Sequence, residues 1–372
     1  MSILNGQPPN SRMSMAGGTV GPGFGPGRRI GKVGMWGAPG SGKTTFLAAL
    51  SIASLNSASE SLMLYGVDKA SNEFLTQETA RITHRRQFPP ATNAERHLSW
   101  VMHMETQVPA RKWGLPTTVT RPFELSLDML DAPGRMFADT PEVGAGVGRN
   151  AGLSGGASAR LGFEDDDDDD PTIGDEDRFV DELAGCRGVL LLFDPIREWK
   201  EGDAFNYFHG TLMKLAQRLM PGRSRPGAKL PQYIAVCTTM FDQQDVYRRA
   251  RERGYSRPSL TDPHLFPRVS DELAERFFVD MVKESQRGNA DLVRNALRRF
   301  FERDRVKFFV TSAIGFHLDR RLGMFQEAEF SNVEHAGGEP RIRGPIYPIN
   351  VIEPLIWLGR SLARDEGAAD AR

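Results

Sequence analysis

The segment Gly37 to Thr44 constrains this chain more than any other part of its sequence. It reads GAPGSGKT, fits the pattern G-x-x-x-x-G-K-[ST], and lies between a predicted strand and a predicted helix. In that context the glycines let successive backbone N–H groups turn inward around an anion, Lys43 can reach the terminal phosphates of a nucleotide, and Thr44 can ligate Mg²⁺. We therefore expect a nucleotide phosphate to bind at this loop. The candidate nucleotide-binding residues here are Gly37, Ala38, Pro39, Gly40, Ser41, Gly42, Lys43, Thr44 and Thr45.

Short apolar strands alternate with helical patterns along most of the chain. The predicted strands are 30–36, 97–104, 123–130, 188–194, 233–237 and 306–310, and the predicted helices are 44–55, 204–220, 270–301 and 351–363. Strands 97–104 and 123–130 flank a turn region rich in Pro and Gly, which predicts an antiparallel hairpin. The predicted fold class is α/β, a P-loop NTPase fold with a mostly parallel central sheet, helices on both faces and one antiparallel hairpin strand.

The composition excludes several classes of protein. The longest apolar run, Val189 to Phe193, is far shorter than the roughly 20 residues that span a bilayer, so we expect no membrane span. The two cysteines, Cys186 and Cys237, fall in predicted strands and are too few for a disulfide framework, which favours reduced thiols in a cytoplasmic protein. The 47 basic and 48 acidic residues nearly balance, and charge balance alone gives little support for a nucleic-acid partner.

The sequence divides into one expected domain and two tails. Residues 1–28 are rich in Gly and Pro and are expected to be disordered, as are residues 365–372. Residues 29–364 form a single expected domain with insertions at 138–178, 243–270 and 317–348, of which the last two are expected to be irregular. The first insertion is of low complexity and includes the unbroken run Asp165 to Asp170. That run is expected to form a solvated loop or a docking site for a basic partner, because a Ca²⁺ loop needs a Gly and alternating ligands.

Three later motifs each follow a predicted strand. Leu130-Asp131-Ala132-Pro133-Gly134 closes the alternating strand, where Asp131 could hold Mg²⁺ through water and Gly134 could offer its N–H to a γ-phosphate. The other two motifs are Thr239-Met240-Phe241-Asp242 and Thr311-Ser312-Ala313-Ile314-Gly315. A single polar residue at a strand end is common and indicates little. Here three motifs occur in order, each directly after a predicted strand. Ligands bind at the carboxyl ends of parallel strands, so the set favours a binding site there.

These motifs resemble those of P-loop GTPases of the Ras-like (TRAFAC) class over residues 29–363. More narrowly, the chain resembles the bacterial double-GTPase (DO-GTPase) type families through Phe88-Pro89-Pro90-Ala91-Thr92 and Ile349-Asn350-Val351-Ile352-Glu353-Pro354 with Trp357. The resemblance implies that Asp242 accepts hydrogen bonds from guanine and that the loop at Ser312 and Ala313 contacts the guanine oxygen. Met240 stands where the class usually has Lys.

The resemblance also implies a set of catalytic and metal-binding residues. Thr92 would be the switch threonine that meets Mg²⁺ and the γ-phosphate, with Thr117, Thr118 and Thr120 as reserve candidates. The implied catalytic residues are Lys43, Gly134 and Thr92, and the implied Mg²⁺ ligands are Thr44, Thr92 and Asp131.

We therefore expect a Mg²⁺-dependent protein that binds GTP or GDP and switches conformation. Arg135 occupies the position where Ras-like enzymes place a water-orienting Gln, which predicts slow intrinsic hydrolysis. The output would be read by a regulatory or effector protein, possibly a second GTPase, in a bacterial signalling or conflict system. Two alternatives stay open: an ATP-dependent enzyme of the nucleoside-monophosphate kinase type, and a nucleotide-binding scaffold without significant hydrolysis.

Overall fold

A seven-stranded sheet organises the described part of the chain. The computed structural model describes residues 28–57, 62–90, 96–112, 115–131, 171–220, 227–284, 290–336 and 338–370. The strands are β1 (Arg28–Gly37), β2 (Met63–Gly66), β3 (Arg96–Lys112), β4 (Leu115–Asp131), β5 (Gly188–Phe193), β6 (Tyr233–Thr238), β7 (Ser256–Pro258), β8 (Pro267–Val269), β9 (Val306–Val310), β10 (Val333–Ala336) and β11 (Glu339–Ile342). The sheet order is β2-β3-β4-β1-β5-β6-β9, and small two-stranded sheets form from β7–β8 and β10–β11.

Five neighbouring strands of the sheet, β4, β1, β5, β6 and β9, run parallel, and the edge formed by β2 and β3 is antiparallel. β1 pairs in parallel with β4 and β5, and β5, β6 and β9 continue that direction. β2 and β4 both run antiparallel to β3. This arrangement confirms the predicted fold class, including the antiparallel hairpin.

Helices cover both faces of the sheet. They are α1 (Lys43–Leu55), α2 (Lys69–Ala80), α3 (Pro171–Gly185), α4 (Pro195–Glu201), α5 (Ala204–Leu219), α6 (Gln244–Glu252), α7 (Asp271–Lys283), α8 (Ala290–Phe300) and α9 (Glu353–Asp370). Alternate residues of β5 enter different cores: Val189 and Leu191 pack with α3, α5, α7 and α8, whereas Leu190 and Leu192 pack with α1, α2 and α9. Because both faces are buried, the strand is apolar throughout rather than alternating.

Several element boundaries differ from the sequence expectations. The stretch 270–301 forms two helices, and β2 and α2 lie in a polar region where no element was expected. The segments expected to be irregular contain α6, the β7–β8 pair and the β10–β11 hairpin. The expected tail from residue 365 is wrong for 365–370, because α9 continues to Asp370, and α3 begins at Pro171 inside the acidic insertion. These elements gain their stability from tertiary packing, which local propensity does not register.

The described residues include both cysteines and the helices on which the membrane expectation bears. Cys186 and Cys237 are buried and not disulfide-bonded. Cys237 lies in β6, whereas Cys186 lies between α3 and β5 rather than in a strand. Burial, the main cause, raises the pKa of the Cys186 thiol to about 12, so it stays protonated at neutral pH. Among the described helices, none combines the length and the apolar character of a bilayer-crossing segment.

Candidate nucleotide-binding site

The loop between β1 and α1 has the geometry of an anion cradle. Lys43 Nζ donates hydrogen bonds to the carbonyl oxygens of Gly37 at 3.0 Å and Ala38 at 3.3 Å, so its ammonium group lies against the loop. The Ser41 N–H donates to the Ala38 carbonyl at 3.1 Å, which closes the turn. At Gly42, the N-cap of α1, no side-chain cap forms, and the first turn of the helix carries no acidic residue. The amino end of α1 can therefore direct its backbone N–H groups at a phosphate.

Two kinds of constraint require glycine in this loop. A Cβ on Gly37 would lie 2.6 Å from Ser41 Oγ and 2.9 Å from the Leu192 carbonyl oxygen, so the loop packs too tightly against β5 for a side chain. Gly40 and Gly42 have φ angles of 75° and 89°, in the left-handed region that glycine adopts without steric cost. Packing and backbone conformation thus account for glycine at these three positions of the motif.

A cleft lies beside this loop, between it and the segments that follow β6 and β9. It encloses about 450 Å³, counting space open to solvent, and its lining is mainly apolar. The lining residues are Ser41, Gly42, Thr45, Phe46, Phe88, Thr239, Met240, Asp242, Gln243, Thr311, Ala313 and Ile314. A cleft of this size with a few convergent polar groups is suited to a flat aromatic ring.

Asp242 and Ser312 form the buried polar pair of the cleft. Ser312 Oγ donates to Asp242 Oδ1 at 2.5 Å and accepts the Gly315 N–H at 2.8 Å. Both side chains are buried, with exposed fractions of 6% for Asp242 and 0% for Ser312. Burial raises the pKa of the Asp242 carboxyl to about 6, and the hydrogen bond from Ser312 opposes part of that rise.

Met240 takes an unusual backbone conformation next to Asp242. Its φ is 61°, in the left-handed region, and the Phe241 N–H donates to the Thr311 carbonyl at 3.1 Å. The Met240 Cε atom approaches the ideal Cβ position of Gly42 at 4.0 Å, so the thioether side chain reaches the phosphate loop. The Lys-to-Met difference from the Ras-like pattern therefore places an apolar, polarizable surface at the cleft wall.

Thr239 has a structural role in this geometry. Its Oγ1 donates to the Phe193 carbonyl at 3.1 Å and its N–H donates to the same oxygen at 2.9 Å. These bonds fix the end of β6 against the end of β5. Thr239 and Asp242, both candidate binding residues, line the cleft, but the hydroxyl hydrogen and the N–H of Thr239 are already donated to Phe193.

The loop after β9 is positioned by a remote segment of the chain. The Ser312 N–H donates to the Ile349 carbonyl at 3.0 Å, and the Ile349 N–H donates back to the Ser312 carbonyl at 2.8 Å. Gly315 has a φ of 67°, and a Cβ there would lie 1.9 Å from the Tyr347 carbonyl oxygen. The position of Ala313 in the cleft thus depends on the segment around 347–349.

Phe88 is a cleft residue that the sequence motif contained but did not assign to this place. α2 continues into a π-helical turn, Arg81–Arg85, and Arg86 follows with a φ of 57°. The Ile342 N–H donates to the Arg86 carbonyl at 3.0 Å, and Gln87 forms an antiparallel bridge with Arg341. These contacts place Phe88 in the lining of the cleft, together with Met240 and Ala313.

Some expected site residues lie outside the described part of the chain. They are Thr92, Gly134, Arg135 and the acidic run 165–170. The reserve threonines Thr117, Thr118 and Thr120 are wrong candidates for a phosphate contact. β1 begins beside Phe123, with Arg28 as its partner, and the threonines lie beyond that end, opposite the phosphate loop.

Two of the three residues proposed for Mg²⁺, Thr44 and Asp131, belong to elements that the structure describes. Thr44 lies in the first turn of α1, and Asp131 is the last residue of β4. Asp128 pairs with Gly34, so Asp131 and Gly37 each lie three residues further along neighbouring parallel strands. Hydroxyl and carboxylate oxygens are the ligands that Mg²⁺ prefers. The described residues contain no cluster of three His, Cys, Asp or Glu side chains that would suggest another metal centre.

Comparisons with known proteins return structural similarity only. No protein-family model matches the chain, and no curated protein matches it. The signal recognition particle receptor SRb-GTP/SRX complex from Chaetomium thermophilum shares 11% identity at a TM-score of 0.29, over 77% of this chain and 92% of that chain. The S. cerevisiae Ski7 GTPase-like domain bound to GTP shares 11% identity at a TM-score of 0.29, over 80% of this chain and 45% of that chain. The bacterial selenocysteine-specific elongation factor EF-Sec shares 11% identity at a TM-score of 0.22, over 73% of this chain and 28% of that chain.

The chain thus spans less than half of the Ski7 and EF-Sec chains that it resembles. Likeness of this degree does not identify a family. The fold class rests on the strand order and on the loop between β1 and α1, both of which are properties of this chain itself.

Proposed function

We propose that this protein is a Mg²⁺-dependent, GTP-binding switch with slow intrinsic hydrolysis. The observation that carries the proposal is the buried Asp242–Ser312 pair in a cleft that adjoins the phosphate loop. A carboxylate in that position can accept two hydrogen bonds, from the ring N–H and the exocyclic amine of guanine. Adenine presents a ring nitrogen without a hydrogen there, so the base would give the buried carboxylate no donor beyond the Ser312 hydroxyl, which is costly.

The remaining cleft residues support binding of a purine ring. Phe88 and the thioether of Met240 both contribute apolar surface to the lining of the cleft. The backbone N–H of Ala313, which follows Ser312, would be the donor to the guanine oxygen. Apolar contact would contribute affinity for any purine, and the Asp242 carboxylate would make the site selective for guanine.

The phosphate side of the site is assigned to the loop and to Mg²⁺. Lys43 and the N–H groups of residues 38–44 would bind the phosphates, and Thr44, Thr92 and Asp131 would hold the metal. Bound Mg²⁺ would neutralise charge that develops on the phosphate oxygens. Gly134 would offer its N–H to the γ-phosphate, and Arg135 in place of a water-orienting Gln accounts for slow hydrolysis.

The output of such a switch would be a change in the segments near Thr92 and Gly134, read by a regulatory or effector protein. A second GTPase is one such partner. The setting we propose is a cytoplasmic one, in a bacterial signalling or conflict system. Nucleic acid is not a proposed partner.

The assay that tests this function measures nucleotide affinity by displacement of a fluorescent GDP derivative in the presence of Mg²⁺. We expect GTP and GDP to bind at least about 100-fold more tightly than ATP, because only guanine satisfies the buried carboxylate. The variant Asp242→Asn should bind GTP more weakly and xanthosine triphosphate more tightly than wild type, since the Asn amide can donate to the C2 carbonyl of xanthine.

A matched control is Asp245→Asn, an exposed carboxylate three residues away in the first turn of α6, which should leave all affinities unchanged. Preference for ATP would favour the kinase alternative. Indifference to Asp242→Asn would reject guanine recognition at this cleft. Tight GTP binding without any turnover would favour the scaffold alternative.

A further inference from the structure

Arg197 brings a second cationic side chain to the phosphate loop. It lies in α4, directly after β5, and its Nη1 donates to the Pro39 carbonyl at 3.2 Å. Lys43 contacts the carbonyls of the two preceding residues, so the ammonium and the guanidinium bind three consecutive carbonyls of one loop. The N–H groups of such a loop surround an anion, so a group in contact with Pro39 lies at the rim of the cradle.

The guanidinium is held in place by a fork of hydrogen bonds. Its Nε donates to Asp203 Oδ1 at 3.1 Å, and its Nη2 donates to Asp203 Oδ2 at 2.5 Å. The Tyr207 ring lies 5.2 Å from the Arg197 Cζ atom, and the Tyr207 hydroxyl accepts from Nη2 at 3.4 Å. A bidentate pair with a carboxylate fixes the plane of the guanidinium and leaves Nη1 directed at the loop.

The start of α4 reinforces this orientation. Asp194 caps the helix by accepting hydrogen bonds from the N–H groups of Ile196 at 2.8 Å and Arg197 at 3.2 Å. The cap thus fixes the backbone of Arg197 itself. A second cleft, of about 420 Å³ when space open to solvent is counted as before, lies between the loop and this helix, next to Ala38 and Arg197, and leaves room for a small movement of the side chain.

We propose that Arg197 is a catalytic residue, a built-in arginine that contacts the terminal phosphate during hydrolysis. This inference rests on the proposed function. When the triphosphate is bound, Nη1 would exchange the Pro39 carbonyl for a γ-phosphate oxygen while Asp203 keeps the rest of the guanidinium in place. An arginine that reaches the transferring group from the same chain stabilises the charge that spreads over its oxygens.

The reaction itself is a simple displacement. The water oxygen forms a bond to the γ-phosphorus as the bond from that phosphorus to the β–γ bridging oxygen breaks. The bonding electron pair stays on GDP, and the proton lost by the water passes to the released phosphate. Arg197 donates hydrogen bonds throughout and exchanges no proton, because its guanidinium remains charged at any accessible pH.

The experiment compares wild type with Arg197→Ala and Arg197→Lys in two measurements made without a partner protein. Single-turnover GTP hydrolysis should fall about 100-fold or more in Arg197→Ala, whereas the Kd for GTP should change less than about threefold. Arg197→Lys should recover only a small part of the rate, because an ammonium cannot form the fork with Asp203. Asp203→Asn should give an intermediate rate.

The second measurement is uptake of aluminium fluoride by the GDP complex, followed by the fluorescence of a labelled GDP. Aluminium fluoride carries the charge and shape of the transferring group, so it should bind wild type and fail to bind Arg197→Ala. The matched control is Arg249→Ala, which removes another half-buried arginine that pairs with Glu284 and lies 4.0 Å over the Trp199 ring. It should leave the rate and the aluminium fluoride uptake unchanged.

The outcomes separate this inference from the proposed function. If Arg197→Ala hydrolyses GTP at the wild-type rate and still takes up aluminium fluoride, Arg197 is not a catalytic residue even where GTP binding is tight and Asp242-dependent. A parallel loss of GTP affinity and of folding, measured by thermal unfolding, would assign Arg197 a structural role instead. Absence of GTP binding by wild type would reject the proposed function first.

Discussion

At the residue scale, Asp242 is a carboxyl group in a place that costs free energy. Its pKa is raised to about 6 by burial, and Ser312 supplies one compensating hydrogen bond. The hydrogen bonds from Ser312 and from the residue's own backbone N–H offset only part of the cost of burial, so the protonated form is still favoured relative to an exposed carboxyl. Guanine would supply the missing donors, so the residue is adapted to a bound state more than to the nucleotide-free protein.

We predict that the affinity for GTP falls as pH falls through about 6. Guanine accepts no proton from Asp242 and binds its ionised form, so about 90% protonation at pH 5 should weaken binding roughly tenfold relative to pH 7. Displacement titrations at several pH values measure this. The Asp242→Asn variant lacks this titrating carboxyl, so its weaker affinity for GTP should change less between pH 7 and pH 5, and an identical pH profile in the two proteins would contradict the prediction.

The same raised pKa makes the stability of the nucleotide-free protein decrease as pH rises, whereas the affinity for GTP increases. The folded protein binds the Asp242 proton more tightly than the unfolded chain does, whose ordinary pKa is 3.8. The contribution of this residue to the free energy of unfolding is therefore present below the unfolded pKa and decreases as pH rises from there to about 6. Bound guanine would remove this penalty.

At the element scale, the loop after β9 is defined by what it packs against. Ser312 bonds to Ile349 in both directions, and Gly315 lies against the Tyr347 carbonyl. The segment 341–349, most of which the sequence pattern treated as irregular, thus supports the cleft. Phe88 depends on the same segment through the contacts of Arg86 and Gln87.

We predict that Gly315→Ala destabilises the protein by on the order of 3 kcal/mol or more, since a Cβ would lie 1.9 Å from the Tyr347 carbonyl oxygen. Gly254→Ala is a matched control, because its φ of 70° is close to the 67° of Gly315 but no atom lies within 4 Å of its Cβ position. Gly254→Ala should lower the free energy of unfolding by only about 1–2 kcal/mol, the usual penalty of the left-handed conformation for a residue with a side chain.

Chemical denaturation measures both values, and the affinity for GTP measures the effect on the cleft. Gly315→Ala should weaken GTP binding as well as stability, whereas Gly254→Ala should not change the Kd. Equal losses of stability in the two variants would show that backbone conformation alone, without the Tyr347 contact, accounts for the glycine.

At the scale of the whole molecule, one sheet connects the phosphate loop, the cleft and both hydrophobic cores. Trp36 and Met35 are neighbours in β1, yet they enter the cores on opposite faces of the sheet. The strands that precede the candidate binding residues are β1, β4, β6 and β9, all members of this sheet. We therefore propose that residues 29–364 act as one folding unit.

We predict a single unfolding transition that GTP shifts as a whole. Circular dichroism and tryptophan fluorescence should report coincident transitions. At a concentration 100-fold above its Kd, GTP should raise the free energy of unfolding by about 2.7 kcal/mol, and ATP at the same concentration should have much less effect. Two separated transitions, of which GTP shifts only one, would contradict the single folding unit.

Much of the fold and part of the site could be predicted from short stretches of sequence. The loop from Gly37 to Thr44 is encoded by adjacent residues, and β5 and β6 were recognisable because strands buried on both faces are apolar throughout. By contrast, β2 has only four residues, and α2 has few apolar residues, so neither carries a strong local pattern. Their stability comes from contacts with distant elements.

The sequence by itself determined the class of fold and the position of the loop between β1 and α1, because both follow from the periodicity and spacing of neighbouring residues. Tertiary structure alone decided the rest of the site. Arg197 contacts Pro39 across 158 residues of chain, and Asp242 bonds to Ser312 across 70. Such pairs depend on which strands become neighbours in the sheet, and burial of the Asp242 carboxyl, which raises its pKa, exists only in the folded chain.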